Sequence, residues 1–207
     1  MFNESHLKQL EQGLEDMRIM LSSAAREKLI EFLRMMVKWN RVYNLSAIKE
    51  PEEMVSLHLL DSLAVLPFLH GKNCIDVGTG AGLPGVPLAI ARTDMRFALL
   101  DSNSKKTRFI QQACIELGLE NVLTLHERVE EYRPEQKFDT VTARAFTAMP
   151  DLLSKTRHLL TTGGKLLAMK SKETAALESD NFQFASVESL VIPNLDATRN
   201  LVIYTAV

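Results

Sequence analysis

From its N-terminus the chain first places apolar residues at helical spacing and later gathers them into short unbroken runs. After Ser22-Ser-Ala-Ala-Arg-Glu27, a helix-start pattern, Leu29, Ile30, Leu33, Met36 and Val37 recur three and four apart with basic residues between them. That spacing predicts a helix over 24–42. A second helix is predicted to open at Pro51-Glu-Glu and to run through Met54, Leu57, Leu60, Leu63 and Val65 to Phe68. Residues 1–70 therefore read as a helical extension packed on a core domain, 71–207.

From Cys74 the period changes. Apolar runs at 73–77, 95–100, 121–126, 138–143 and 164–169 alternate with amphipathic stretches that reach 92, span 104–117 and span 149–159. This alternation predicts a parallel sheet covered by helices on both faces. The last two runs, 184–192 and 200–206, are joined by Pro193-Asn-Leu-Asp-Ala-Thr198-Arg, a link too short for a helical crossover. An antiparallel hairpin is expected to close the sheet.

The first of these runs leads into Gly78-Thr-Gly80-Ala-Gly82-Leu-Pro-Gly85. A strand, a sharp glycine turn and a helix are implied, and glycines there let a ligand approach the backbone with no Cβ in the way. Gly80-x-Gly82-x-x-Gly85 also satisfies the dinucleotide fingerprint, a weak pattern alone. The second run ends in Asp101, placed to hold a ribose diol. NAD and S-adenosylmethionine share that demand, so Asp101 does not separate them. Glu130 and Glu131, after the third run, lean toward the methyl donor by offering an acid near an adenine or ribose. A dehydrogenase would continue into a substrate domain for which the chain has no room.

With 46% hydrophobic and 24% charged residues, the 207-residue chain has the composition of an ordinary globular protein. It shows neither a secretory pattern nor a run of about 18 apolar residues, so a soluble, cytoplasmic protein with no membrane partner is expected. Cys74 and Cys114 have no companion at metal spacing and read as core residues; no metal is expected. A formal charge of -2 gives no global attraction to nucleic acid. Any RNA contact must come from local clusters: Arg34, Lys38 and Arg41; Lys105, Lys106 and Arg108; and Lys165, Lys170 and Lys172.

The segments Trp39-Asn40-Arg-Val-Tyr-Asn44-Leu45-Ser46, His58-Leu-Leu-Asp61-Ser62, the 75–85 loop, Leu100-Asp101-Ser102, Arg128-Val129-Glu130, Ala143-Arg144-Ala145-Phe146 and Met169-Lys170 together resemble the bacterial RsmG family, also called glucose-inhibited division protein B. The resemblance covers nearly the whole chain. It implies an α/β, Rossmann-like seven-stranded class I methyltransferase sheet with a terminal antiparallel hairpin and an N-terminal helical extension. It also implies transfer of a methyl group from S-adenosyl-L-methionine to N7 of one guanine in 16S ribosomal RNA of the small subunit, by a monomer.

Carried over by position, Gly78, Gly80, Leu83, Asp101, Val129, Glu130 and Arg144 are expected to bind the donor, with Arg144 and Lys170 at the reaction. Asn44, His58, Arg128, Lys170 and Arg199 are expected to face RNA. Arg144 can also be read as a structural ion-pair partner of Asp76 or Asp101. Two rival functions stay open: a methyltransferase acting on another RNA position or a small molecule, and a donor-sensing module without turnover.

Overall fold

The computed structural model describes residues 2–171, 176–195, 197 and 199–207. Lys172 of the third basic cluster, and Asp196 and Thr198 of the hairpin link, lie outside the described residues.

Seven strands form one sheet: β1 (Asn73–Val77), β2 (Arg96–Asp101), β3 (Val122–His126), β4 (Phe138–Arg144), β5 (Leu160–Lys170), β6 (Phe182–Leu190) and β7 (Arg199–Ala206). Their order is β3-β2-β1-β4-β5-β7-β6. The first five are parallel, whereas β7 runs antiparallel between β5 and β6. The order reverses beside β1, and in such sheets the crevice at that switch point, outside the carboxyl ends of the strands, is where ligands sit.

The fifth strand starts earlier than its apolar run suggests. Phe138 pairs with Leu160 and Thr140 with Lys165, so the pair of glycines at 163–164 lies in a bulge rather than in a turn before the strand. Bulged residues carry no periodic signal, because the excursion takes them out of the ladder.

The lead-in comprises α1 (Glu4–Asp16), α2 (Ser23–Tyr43), α3 (Pro51–Met54) and α4 (Asp61–Leu63). Leu7, Leu10 and Leu14 mark α1 at helical spacing, and Asn3 caps it, in a capping box with His6. The single helix predicted over 51–68 is broken, since a π-helical turn, Val55–Leu60, separates α3 from α4 and a 3-10 turn, Leu66–Phe68, follows. Of residues 54–65 all but Leu57 are buried, so the segment has no single apolar face whose spacing could reveal a π turn.

The remaining helices, α5 (Gly85–Ala91), α6 (Ser104–Leu117) and α7 (Met149–Thr156), cover the sheet. One apolar cluster joins the lead-in to α5 and α6 through residues such as Leu33, Met36, Leu60, Val86 and Ile110. Phe109 of α6 stacks on Phe32 of α2 with centroids 5.9 Å apart and meets Trp39 at 5.7 Å. A second cluster lies on the other face, around Val141, Leu152, Leu166 and Tyr204. Burial of the paired apolar faces at about 25 cal/mol per Å² is what fixes the lead-in to the sheet. Cys74 and Cys114 are free and buried, each with its thiol pushed up by desolvation, Cys114 to about 11.

Candidate active site

The glycine loop is clamped from below. Asp76, fully buried on β1, accepts from Thr79 Oγ1 at 2.5 Å, Gly85 N at 3.0 Å and Thr142 Oγ1 at 3.0 Å, tying both ends of the loop to β4. Burial pushes its carboxyl up to about 6, against the three hydrogen bonds that favour the anion. Asp101, at the tip of β2, takes Gly80 N on Oδ2 at 2.9 Å and Asn103 N on Oδ1 at 2.8 Å. Each carboxylate oxygen keeps a lone pair for a further donor.

Above this loop lies a cavity of about 360 Å³ lined by Gly78, Asp101, Val129, Glu130 and Phe146, among others. The sequence expectation brings together Gly78, Asp101, Val129, Glu130 and Arg128 here. Gly80 reaches the site through its bond to Asp101, while Leu83 is buried in the apolar cluster beneath. Ser102, Lys106, Phe146 and Lys155 also line the cavity and were not expected as donor contacts. Ser102 directly follows Asp101 and Phe146 lies two residues after Arg144, both within the motifs that carry the resemblance, a signal that could have found them. Lys155 arrives from α7 to pair with Glu130 at 2.7 Å, a contact that no local pattern announces. That bond lowers the Glu130 carboxyl and raises the Lys155 ammonium.

A second cavity, about 350 Å³, adjoins the first at Ala145 and is lined by His58, Asp61, Arg144, Lys170 and Arg199, among others. The three cations come from neighbouring strands. Arg144 ends β4 opposite Met169, Lys170 ends β5 opposite Asn200, and Arg199 opens β7. Lys165 belongs elsewhere: five residues earlier on β5, it sits roughly 17 Å from Lys170 and on the opposite face. Lys165 and Lys170 therefore do not share a patch.

Arg144 pairs with neither Asp76 nor Asp101. Its Nη1 donates to Asp61 Oδ2 at 3.1 Å and to Leu57 O at 3.1 Å, and Asp61 Oδ1 accepts Arg199 Nε at 3.0 Å. Lys170 Nζ donates to Thr147 O at 2.6 Å, which anchors the segment dividing the two cavities, and burial lowers its ammonium pKa. In that segment Ala145 has φ of +51°, a conformation disfavoured for a residue with a Cβ.

His58 is a wall residue. Its Nε2 meets Ser46 Oγ at 2.9 Å, and Asn40 grips Ser46 through both backbone groups, Nδ2 to O at 2.8 Å and N to Oδ1 at 2.9 Å. The Trp39–Ser46 and His58–Ser62 segments are thus parts of one hydrogen-bonded unit. Burial, reinforced by the Arg144 charge, lowers the His58 imidazole to about 4, so it is neutral at physiological pH. Asn44 lies exposed at the left-handed end of α2 and lines neither cavity.

Residues 25–202 match the family model described as rRNA small subunit methyltransferase G. The chain belongs to this family. It is 47% identical over 201 residues to the ribosomal RNA small subunit methyltransferase G of Chromobacterium violaceum, covering 95% of this chain and 96% of that protein. To the protein of the same name from Nitrosococcus oceani it is 48% identical over 197 residues, covering 93% and 92%. Among solved structures, the N-methyltransferase NodS from Bradyrhizobium japonicum WM9 in complex with S-adenosyl-L-homocysteine matches with a TM-score of 0.57 at 13% identity, over 82% of this chain and 98% of that one. At that identity the likeness is one of fold: the chain carries the methyltransferase sheet with its antiparallel β5-β7-β6 edge.

Among the described residues no group of three or more His, Cys, Asp or Glu could hold a metal ion, and no helix is long and apolar enough to cross a membrane.

Proposed function

We propose that the protein transfers a methyl group from S-adenosyl-L-methionine to N7 of a guanine in 16S ribosomal RNA, acting in the cytoplasm as a monomer on the small ribosomal subunit. The observation that carries this reading is the meeting of two cavities at Ala145, one over a glycine loop with an acid at the tip of β2, the other walled by cations. The first fits the donor in size, since small-molecule sites span about 300–1,000 Å³. Gly78 also lets the Phe146 ring close against the loop as a wall of this cavity, since a Cβ there would fall 2.1 Å from the ring.

Asp101 would receive the ribose hydroxyls, Val129 would lie on the adenine, and Glu130 would stand at the adenine end of the cavity. The donor, when bound, supplies an electrophilic methyl on a sulfonium. Guanine N7 bears a lone pair and no proton at neutral pH, so no general base is required. The protein's task is to hold the base in line and exclude water. Arg144 and Lys170 suit the O6 edge or a neighbouring phosphate rather than proton transfer, and Arg199 and Arg128 suit phosphates at the two cavity mouths.

N7 lies on an edge that proteins reach in loops or unstacked strands of RNA, which suits a pocket open to solvent. In this reading residues 1–70 form the acceptor-side extension and 71–207 the transfer domain.

Incubating the protein with tritiated S-adenosylmethionine and small subunits from cells lacking this gene, then mapping label by cleavage selective for 7-methylguanine, tests the reading. Label at one guanine is expected. Absence of label, with donor binding measured separately, would refute it in favour of another substrate or the sensing module.

A further inference from the structure

Resting on the reading of the second cavity as the guanine pocket, we propose that Asp61 is its positioning residue, fixing Arg144 and Arg199 and offsetting their charge beside the base. Asp61 comes from the lead-in, the two arginines from β4 and β7, so one carboxylate ties three elements distant in sequence. Its side chain is 4% exposed, whereas those of Arg144 and Arg199 are 24% and 21% exposed. The acid is therefore sealed behind the cations, and both arginines line the cavity. Water does not screen a pair so placed, and each N–H to carboxylate bond fixes an orientation as well as a charge.

The π turn makes this arrangement. Asp61 N bonds to Ser56 O, five residues back, in place of Leu57 O, four residues back. The Leu57 carbonyl accepts Arg144 Nη1 instead, at the same 3.1 Å as Asp61 Oδ2. Backbone and side chain of the turn thus form a two-pronged acceptor for a single guanidinium nitrogen. π turns are rare and concentrate at functional sites.

A charge argument points the same way. In methyl transfer to N7 the sulfur–carbon bond breaks with its electron pair returning to sulfur, and the N7 lone pair forms the new bond, so positive charge moves from sulfur to the base. Positive side chains around that base oppose the step. Asp61 offsets one unit of that charge while holding the arginines beside the base.

The test is a double-mutant cycle on the full-length protein with unmethylated small subunits and tritiated S-adenosylmethionine. Asp61→Asn, Arg144→Gln and the pair are compared for kcat, for KM toward subunits and for donor Kd by calorimetry. Asp61→Asn is expected to cut kcat/KM by about 100-fold, the scale of a roughly 1 Å misplacement of a reacting group. Donor Kd should stay within about twofold, and the double variant should be little worse than Arg144→Gln.

Multiplying losses, or an Asp61→Asn enzyme within about threefold of the parent, would overturn the assignment. A destabilisation alone would not produce the coupling. Should Asp61→Asn fail to fold by circular dichroism, the cycle between Arg144→Gln and Arg199→Gln carries the same test: sub-multiplicative losses are expected, and multiplying losses overturn it. If the unmutated protein leaves the subunits unlabelled, the pocket reading fails and this role with it; if it labels them and the cycle shows no coupling, only the role of Asp61 fails.

Discussion

Gly78→Ala separates the cost of a strained backbone from the cost of filling the donor cavity. At φ of +64°, a side chain at position 78 is strained by roughly 1–2 kcal/mol. The new Cβ would also lie 2.1 Å from Phe146 Cδ2 and 2.8 Å from Cε2, so the ring must move by more than about 1 Å, and overpacking of this kind costs roughly 1–3 kcal/mol. Gly118, which ends α6 at φ of +61° with nothing within 4 Å of a built Cβ, supplies the control, since Gly118→Ala carries the backbone strain alone. Thermal melting should fall by about 2–8 °C for Gly118→Ala and by about 4–20 °C for Gly78→Ala, the second always the larger because it adds overpacking to the same strain.

Calorimetric donor affinity should be unchanged in the first variant and weakened at least about tenfold in the second, because the displaced ring is part of the cavity wall. Equal losses of stability in the two variants, or parental donor affinity in Gly78→Ala, would refute the placement of the donor against Gly78.

Two further outcomes follow from the second cavity. His58 stays neutral in the folded protein down to about pH 4, while an unfolded histidine takes up its proton near 6.5. Its neutral burial is thus harmless above pH 6.5, and roughly 3 kcal/mol of stability is lost as pH falls from there to about 4. Asp76, raised to about 6, works in the opposite sense over an overlapping range, so the difference between the protein and His58→Gln in urea melts is the quantity to follow; a difference that does not vary between pH 7 and pH 4 would contradict the shift. Ala145→Gly should relieve the strain at φ of +51° and raise the melting temperature by about 2–4 °C while lowering turnover, since Arg144 loses its fixed neighbour; a lower melting temperature would contradict the strain.

Much of the sheet and half of the site were legible in the amino-acid order because their signals are local. A strand, a turn and a helix follow from Cys74-Ile-Asp-Val77, the glycines and the apolar residues after them, each within a few positions of the next. Asp101 could be placed at the end of its strand for the same reason, and the short link after Ile192 was enough to require an antiparallel return. Local order also sufficed for the resemblance that named the donor.

Tertiary structure alone decided what surrounds the second cavity. Asp61 precedes Arg144 by 83 positions and Arg199 by 138, and only the stacking of the lead-in against the ends of β4 and β7 brings them within 3.1 Å. Asp76 and Asp101, the partners of the alternative reading of Arg144, are instead occupied by hydroxyls and backbone N–H groups of the glycine loop and its neighbours. Nor could periodicity show the π turn, because residues 54–65 are buried on nearly every side and offer no single face to follow. Sequence fixes which groups a segment can offer; which of them meet is settled by packing, since a buried charge goes where folding provides a counter-charge.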